Sequence, residues 1–432
     1  MTKDKRRGRA PHAGVKRSTG TAYLIAILLI HAALALVYWD RTPFGASPDE
    51  GPHGRYVQTL VESRALPVFR AADREGYEFH QPPLYYLMGV PFYLAGRGFG
   101  LIDPAGMVRL LSLLLGALSI VISYLAIRAA FPDEKELPIA VAGFVALLPM
   151  HVMLSSSVSS DPLAEVVFGL ALLVMAGMLV NGPNLKRTVG LGFVFGIGLL
   201  TKTTCVLLFP VAVLAYLLAW QRGMPAARSV AGHLGAAIGI SLAIGGWWLV
   251  RNQLLYGDPF AMSQFQKAFQ HTATPEYWLS KGWSWGFYFS LVGVWTFASF
   301  WGVFGHMKVF MPTWAYYGLA VISLAVGIGS LRGIARARAK SAANRDLLLV
   351  YGVTLALVLL AFIKFNLSFF QAQGRYLYPA LIPISVLWAA GIGGLLPVHL
   401  RRFMPYLAVG IPLIVQIVAL ATCIIPKMPY YH

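Results

Sequence analysis

The sequence predicts an all-α protein that crosses a membrane about eleven times and carries amphipathic, interfacial helices in its external loops. Three observations support this. Hydrophobic residues make up 57% of the 432 residues and charged residues only 12%, whereas soluble domains carry about 25% charged residues. Apolar runs long enough to span a bilayer recur along the chain. Lys and Arg gather in alternate connections between those runs, as the positive-inside rule expects.

The net charge of +18 does not indicate a nucleic-acid partner. The cations lie in short clusters between apolar runs, which is typical of cytoplasmic anchors, and no nucleic-acid-binding motif is visible. The two cysteines, Cys205 and Cys423, lie in separate apolar runs and form neither a disulfide framework nor a metal-binding spacing. We therefore predict no metal and no cofactor.

Residues 1–20 are predicted to be a basic cytoplasmic tail, because seven Lys and Arg lie in the first 17 residues. Residues 21–39 are apolar and long enough to be the first span. A cleaved signal peptide is the alternative, but the run exceeds the usual core of about 7–15 residues, which favours an uncleaved anchor. The basic flank then places the N-terminus in the cytoplasm and residue 40 outside.

Ten further apolar runs continue the predicted path and leave the C-terminus outside. They lie at 107–130, 138–155, 161–180, 188–201, 203–220, 229–250, 312–331, 347–364, 378–396 and 403–425. The path predicts cytoplasmic loops at 131–137, 181–187, 221–228, 332–346 and 397–402, and most of these loops are basic. The strongest cluster comprises Arg332, Arg336, Arg338, Lys340 and Arg345.

Two external segments are expected to lie at the membrane surface. Within the loop 40–106, the stretch Pro82 to Ala95 is apolar but too short and Pro-rich for a span, which indicates an interfacial or re-entrant helix. The segment 283–311 is rich in Trp, whose amphipathic ring favours the headgroup region. A crossing there would reverse the spans that follow it and place the Arg332–Arg345 cluster outside.

The stretch Ser47 to His53 places Asp49 and Glu50 just beyond the first span. One interpretation is a helix start, with Ser47 as N-cap and Glu50 completing a capping box. The functional interpretation is that a carboxylate at the membrane edge takes a proton from an attacking hydroxyl. His53 lies one helical turn from Asp49, but two ligands without a third do not predict a metal site.

A second polar stretch begins at His80 and Gln81 and continues into Pro82-Pro83-Leu84-Tyr85-Tyr86. It is either a stiff entry into the interfacial helix or a source of hydrogen-bond donors for a bound anion. Asp161, followed by Pro162, has the pattern of a helix cap.

Three cations, Lys202, Arg251 and Arg375, lie at the outer ends of apolar runs. Long cationic side chains can simply reach toward the headgroups there. Gathered on one face with His80, they would instead form an anion site, since Arg grips phosphate bidentately and Lys acts as a point charge.

An external carboxylate facing external cations fits a substrate with a phosphate at headgroup level and a hydroxyl partner. A polyisoprenyl-phosphate sugar meets this description: the cations would stabilise the phosphate leaving group and the carboxylate would activate the acceptor. A transporter or flippase of a lipid-linked or anionic substrate remains an alternative. A lipid-linked oligosaccharide ligase or polymerase is a third possibility, expected to rely on external Arg and His without an essential carboxylate.

At these residues the chain resembles the C-type (GT-C) membrane glycosyltransferases, which include protein O-mannosyltransferases and lipid A aminoarabinose transferases. It looks closest to a related bacterial family of multi-pass proteins of unknown function. The matching stretches follow the family order: Pro48-Asp49-Glu50, Gln81-Pro82-Pro83-Leu84-Tyr85-Tyr86, Asp161-Pro162-Leu163, Leu200-Thr201-Lys202, Arg251-Asn252, Tyr256-Gly257-Asp258-Pro259, Ser299 to Gly305, and Gln373-Gly374-Arg375-Tyr376.

The resemblance implies transfer of a sugar, with inversion, from a polyprenyl-phosphate carrier to a glycan, lipid or protein acceptor outside a bacterial cytoplasmic membrane. It implies Asp49 as the base, with Glu50 supporting the acceptor side. Donor-phosphate contacts are expected from Lys202, Arg375, His80, Gln81 and Arg251, and other substrate contacts from His53, Tyr85, Asp161 and Tyr376. One departure matters: the aminoarabinose transferases have a stretch similar to Lys-Pro-Pro-Leu where this chain has His80-Gln81-Pro82-Pro83, so groups that can be neutral replace a fixed cation.

The same resemblance divides the chain into modules. Residues 21–254 would form the catalytic transmembrane module, including the loop 40–106. Residues 255–311 would form an external aromatic-rich segment, and residues 312–432 a C-terminal transmembrane module.

Overall fold

The computed structural model describes residues 18–73, 76–223, 227–270 and 274–431. Helices dominate these ranges, and their strands are limited to the antiparallel pair β1 (Val303–Phe304) and β2 (Val309–Phe310). The predicted all-α class is therefore confirmed. Most of the predicted basic tail, residues 1–17, lies outside the described residues.

The described chain forms seventeen α-helices. They are α1 Ser18–Arg41, α2 Glu50–Ser63, α3 Leu84–Gly98, α4 Arg109–Ala130, α5 Leu137–Leu147, α6 Pro149–Ser155, α7 Asp161–Asn181, α8 Leu185–Leu199, α9 Leu208–Gln221, α10 Ala227–Tyr256, α11 Met262–Phe269, α12 Pro275–Ser280, α13 Trp285–Gly302, α14 Thr313–Lys340, α15 Ala342–Asn366, α16 Leu381–Leu395 and α17 Met404–Ala419. Short 3₁₀ turns at Pro104–Val108, Thr203–Leu207, Gly374–Ala380 and Val398–Phe403 lead directly into α4, α9, α16 and α17.

Nine helical segments within the described ranges are long and apolar enough to cross a membrane. The helices α5 and α6 form a tenth candidate if they count as one span, since they are bent by 67° at the intervening Leu148. A proline at the start of α6 and the extended backbone of Leu148 account for the break. These ten segments correspond to ten of the eleven predicted runs.

The eleventh predicted run, 188–201, forms α8, whose 15 residues span only about 22 Å at 1.5 Å per residue. The helix α8 nevertheless runs back alongside α7 from one end of that helix to the other. Arg187 at its start donates to Gly182 O beside the end of α7, and Lys202 just beyond its end pairs with Asp161 at the start of α7. Gly192 and Gly196 let α8 pack closely on α10, because a Cβ at either would lie under 3.0 Å from α10 atoms.

The bundle has two chemically distinct ends, and the predicted cytoplasmic loops meet at one of them. Lys340 pairs with Glu134, and Arg222 lies 3.5 Å from Asp346. At the opposite end, Arg375 contacts both Asp49 and Asp161. Loops that are predicted to lie on the same side of the membrane therefore contact each other in the structure.

The segment 283–311 packs on the connection between α15 and the following span. Tyr288, near the start of α13, donates to Asn366 O at 2.7 Å, and Ser299, near its end, accepts from Gly374 N at 2.8 Å. Both Asn366 and Gly374 lie at the end of the bundle that holds Arg375. These contacts agree with α13 lying across that end.

The orientation of the two ends is tested by cysteine labelling of intact cells with a membrane-impermeant reagent. Ser63→Cys and Ser280→Cys, both exposed at the end that holds Arg375, should be labelled, while Lys135→Cys and Arg338→Cys, exposed at the other end, should not. The two native cysteines are buried, so the unmodified chain serves as background control. Labelling of residues 63 and 338 from the same side would contradict the predicted path.

Candidate active site

Four charged side chains from four distant segments form one continuous ion-pair chain. Arg375 pairs with Asp49 through one nitrogen and lies 3.3 Å from Asp161 through another. Asp161 in turn pairs with Lys202. We call these four residues the charged cluster. Two carboxylates and two cations thus balance at the end of the bundle.

The four members differ in their access to solvent. The side chain of Arg375 is 4% exposed, that of Asp161 10% and that of Lys202 14%, whereas that of Asp49 is 29% exposed. Buried charges are stable only when paired and hydrogen-bonded, which the mutual contacts provide. Asp49 is therefore the most solvent-accessible member of the cluster.

Asp49 occupies an unusual backbone position. Its φ of 57° is left-handed, a region that Asp tolerates better than most residues, and α2 begins at the next residue. Its carboxylate also accepts a 2.5 Å hydrogen bond from the Tyr77 hydroxyl. Burial raises the pKa of Asp49, but the Arg375 guanidinium, His53 and this hydrogen bond outweigh burial and hold the pKa below its usual range.

Glu50 has a different environment and does not form the predicted capping box. Ser47 instead donates to Met153 Sδ, and α2 has no side-chain cap. Glu50 is fully buried and binds Arg109 bidentately at 2.7 and 2.8 Å. Its oxygens also accept from the backbone nitrogens of Gly45 and Val158, both at 2.9 Å.

Arg109 completes this buried anchor. It donates to the carbonyl oxygens of Trp39, Thr42 and Pro43 as well as to Glu50. The pair thus ties the end of α1, the start of α2 and the start of α4 together. With no exposed surface and with both oxygens occupied, Glu50 is not placed to support an acceptor, contrary to what the resemblance implies.

The predicted cap at Asp161 is also wrong, because Ser160 precedes α7 and Asp161 is its first helical residue. Its carboxylate faces Lys202 and Arg375 instead. The preceding loop is held by Tyr85, which is fully buried, shares a hydrogen bond with Ser112 at 2.7 Å and accepts from Ser159 N at 3.0 Å. Tyr85 therefore positions this loop and has no surface for a substrate.

His80 lies near the charged cluster but is not a cation. Burial lowers the pKa of His80 to about 4, so the ring is neutral at physiological pH. Its Nδ1 lies 2.5 Å from the Tyr77 carbonyl and must carry the proton there, and its ring contacts Phe69 and Phe265. A neutral ring with this tautomer offers an anion no N–H donor. Gln81, the next residue, is half-buried, and its carbonyl accepts from Tyr56.

The remaining predicted residues fall at varying distances from the cluster. Arg251 donates to Pro67 O at 2.8 Å and lies over the Trp248 ring, so it holds the first external loop. Tyr376 lies under the Arg375 guanidinium at 5.1 Å from ring centroid to carbon. His53 accepts from or donates to Tyr86 at 2.8 Å, with Nδ1 also 3.8 Å from Glu78 Oε2.

Sequence reasoning missed Tyr77 and Glu78. Tyr77 donates to Asp49, and Glu78 is buried beside His53. Both lie within three residues before the His80-Gln81-Pro82 motif. The available sequence signal was therefore the carboxylate of Glu78 next to that motif. Within the described ranges, no group of three or more His, Cys, Asp and Glu side chains is arranged to hold a metal ion.

Comparisons with known proteins agree with this architecture. A family model described as dolichyl-phosphate-mannose-protein mannosyltransferase matches residues 85–248, which is less than half of the chain. A search of curated proteins finds no match. The family match includes α7 and Lys202 but neither Asp49 nor Arg375.

Solved structures match over nearly the whole chain. ArnT from Cupriavidus metallidurans in the apo state has a TM-score of 0.53 and 17% identity, covering 96% of this chain and 75% of that one. The apo oligosaccharyltransferase from Archaeoglobus fulgidus has a TM-score of 0.52 and 15% identity, covering 95% and 56%. The archaeal oligosaccharyltransferase AglB from Archaeoglobus fulgidus, in complex with an inhibitory peptide and a dolichol-phosphate, has a TM-score of 0.54 and 13% identity, covering 93% and 56%.

These matches confirm the GT-C-like fold predicted from the motifs. The chain spans little more than half the length of the archaeal transferase. At these identities, the likeness concerns the fold.

The Glu50–Arg109 anchor predicts a stability effect. Glu50→Gln should lower the free energy of unfolding by about 3–5 kcal/mol, because it leaves Arg109 buried without its counter-charge. The measurement is thermal unfolding of the purified protein in detergent, with the exposed Glu62→Gln as matched control. A Glu50→Gln protein that unfolds like wild type yet has lost its cellular function would restore a catalytic role to Glu50.

Proposed function

We propose that this protein is an inverting glycosyltransferase that moves a sugar from a polyprenyl-phosphate carrier to an acceptor hydroxyl at the outer face of the bacterial cytoplasmic membrane. The observation that carries the proposal is the charged cluster. Two cations and two carboxylates from segments up to 326 positions apart meet at one end of a membrane bundle. A bound phosphate needs such cations, and an acceptor hydroxyl needs a base.

The donor phosphate would bind between Lys202 and Arg375. In the structure, both cations are already paired with Asp161 and Asp49. An arriving phosphate competes for the same cations, because a guanidinium has a limited set of donors in fixed directions. Donor binding therefore loosens the contact between Arg375 and Asp49.

Loss of that contact changes the chemistry of Asp49. While paired with Arg375, its lowered pKa makes it a weak proton acceptor. When the phosphate occupies Arg375, the pKa of Asp49 rises toward that of an unpaired, half-buried carboxylate. Donor binding therefore makes Asp49 a stronger general base, and without donor Asp49 stays a weak one. The acceptor oxygen attacks the anomeric carbon while Asp49 takes its proton, and the bond to the phosphate oxygen breaks.

The other parts of the site support this geometry. Tyr77 orients the carboxylate of Asp49, and Tyr376 lies under the guanidinium of Arg375. The buried Glu50–Arg109 pair fixes the turn on which Asp49 sits. In AglB, one solved complex contains dolichol-phosphate, and that ligand class supports a polyprenyl-phosphate donor for this chain.

A transporter of a lipid-linked or anionic substrate is the second candidate, and one observation favours it. His151 and Glu165 form a 2.9 Å pair inside the bundle, and the ring of His31 lies 5.3 Å from that of His151. Ionisable groups within spans often mark substrate or proton paths. The pair also connects α6 to α7 one turn below Asp161, which is a sufficient structural role.

The role of Asp49 is tested by Asp49→Asn, which keeps the size of the side chain but cannot take a proton. Turnover should fall by about 10²–10⁴-fold, measured by mass spectrometry of lipid-linked sugars and envelope glycans in a deletion strain carrying the variant. Purified Asp49→Asn should bind undecaprenyl phosphate at least as tightly as wild type, because Arg375 loses its competing carboxylate.

Asp40→Asn is the matched control, since Asp40 is exposed near the same end of the bundle. Normal glycans in the Asp49→Asn strain would contradict the transferase mechanism and favour transport. Loss of undecaprenyl phosphate binding in that variant would show instead that Asp49 is needed to form the phosphate site.

A further inference from the structure

Glu78 is a third carboxyl group near the site, and the proposed reaction has not used it. It lies in the 3₁₀ turn Tyr77–His80, next to the residue that donates to Asp49. Its side chain is only 7% exposed, and its Oε2 has no hydrogen-bond partner. The nearest cationic candidate, His53 Nδ1, is 3.8 Å away, beyond hydrogen-bonding distance. A buried carboxyl oxygen without a hydrogen-bond partner requires an explanation.

The environments of Asp49 and Glu78 drive their protonation in opposite directions. Asp49 is paired with Arg375, which keeps it ionised. Glu78 lacks such a partner, and burial raises its pKa; His53, Lys202 and Arg375 oppose this shift without outweighing it, and the charge of Asp49 adds to it. Two carboxyl groups whose surroundings separate their protonation states are typical of an acid and a base in one site.

Four charged groups act on Glu78. They are His53 on α2, Asp49 before α2, Lys202 after α8 and Arg375 before α16. His53 lowers the pKa of Glu78 without outweighing burial, and burial in turn lowers the pKa of His53 itself. Tyr56, Tyr77, Tyr86 and Tyr376 also lie close enough to interact with it. The first three of these tyrosines have raised pKa values and stay neutral.

We propose that Glu78, in its protonated form, is the acid that donates a proton to the phosphate leaving group, an inference that rests on the proposed transferase function. A neutral carboxyl can donate a hydrogen bond to an anion held between Lys202 and Arg375, whereas an ionised one would repel it. The free Oε2 is available for this contact.

The step balances with Asp49 as the base. The bond between the anomeric carbon and the phosphate oxygen breaks, and its electron pair stays on the phosphate. The proton of Glu78 moves to a phosphate oxygen while the acceptor hydroxyl passes its proton to Asp49 and bonds to the anomeric carbon. The products are the glycoside and a singly protonated lipid phosphate. Return of one proton from Asp49 to Glu78 through solvent restores the site.

The protonation state of Glu78 is testable without knowing the sugar. Infrared difference spectra of the purified protein at neutral pH should show a protonated-carboxyl band that is missing from Glu78→Gln. Undecaprenyl phosphate is the probe, and its addition should shift that band. Glu62→Gln, in which an exposed carboxylate is changed, is the matched control and should keep the band.

The pH dependence of the transfer rate is a second readout. Replacing a residue with a purely structural role would not change it. The transfer rate of wild type should decline as pH rises through the pKa of Glu78, because the acid form is lost. Glu78→Gln should be about 10²–10⁴-fold slower and should lack that alkaline decline, while Glu78→Asp should recover part of the rate and the decline.

The outcomes separate the two proposals. If undecaprenyl phosphate does not bind wild type, the transferase proposal fails and this inference fails with it. If it binds but the carboxyl band is unchanged by Glu78→Gln or by the ligand, the acid role of Glu78 is overturned and the transferase proposal stands. An unchanged alkaline decline in Glu78→Gln would overturn the acid role as well.

Discussion

The pairing of Arg375 with Asp49 and Asp161 is the interaction on which the arrangement of this site depends. A guanidinium that is almost completely buried at the edge of a membrane bundle needs counter-charges, since desolvating it alone would cost several kcal/mol. The two carboxylates come from the start of α2 and the start of α7, so the pairing fixes how these elements meet the segment before α16. Lys202 extends the chain of charges to the end of α8. The charges of the site therefore balance without a ligand. An anionic substrate would have to replace a carboxylate as the partner of one of the cations.

A second ion pair, Glu50–Arg109, supports the first without touching it. Glu50 and Asp49 are neighbours in sequence, yet one is fully buried and the other 29% exposed. The left-handed backbone at Asp49 explains how adjacent side chains point to such different surroundings. One carboxylate holds the turn rigid and its neighbour faces the open site. Rigid support beneath a reactive group is what precise positioning requires.

Much of the fold could be predicted from the sequence because a bilayer imposes a length and a hydropathy on each span. Ten of the predicted runs are helices of spanning character, and the all-α class followed from the same constraint. The run 188–201 was predicted to be a full span, but it forms the short helix α8. Gly192 and Gly196 let this helix pack closely on α10, and this close packing holds it in the bundle despite its length. The break at Leu148 was not predicted because a proline alone does not reveal the angle between two helices.

The site was predictable where a charge had no topological purpose. Lys202 and Arg375 stood out for that reason, and the structure brings Arg375 to Asp49 and Asp161 and Lys202 to Asp161. Glu50 was misjudged because its partner, Arg109, is 59 positions away and reads as an ordinary residue at the start of a span. Arg251 met the same criterion and His80 came from a separate polar stretch, but a loop carbonyl and a burial-lowered pKa give them other roles. Long-range pairing and burial decide such cases, and neither is visible in a single sequence.

The proposed mechanism depends on a phosphate replacing the Asp49 carboxylate at Arg375. An experimental structure of the protein with undecaprenyl phosphate tests it most directly. We expect the phosphate between Lys202 and Arg375, with the Asp49 carboxylate separated from the guanidinium and facing the open side of the site. A phosphate bound elsewhere, with the contact between Arg375 and Asp49 intact, would contradict it.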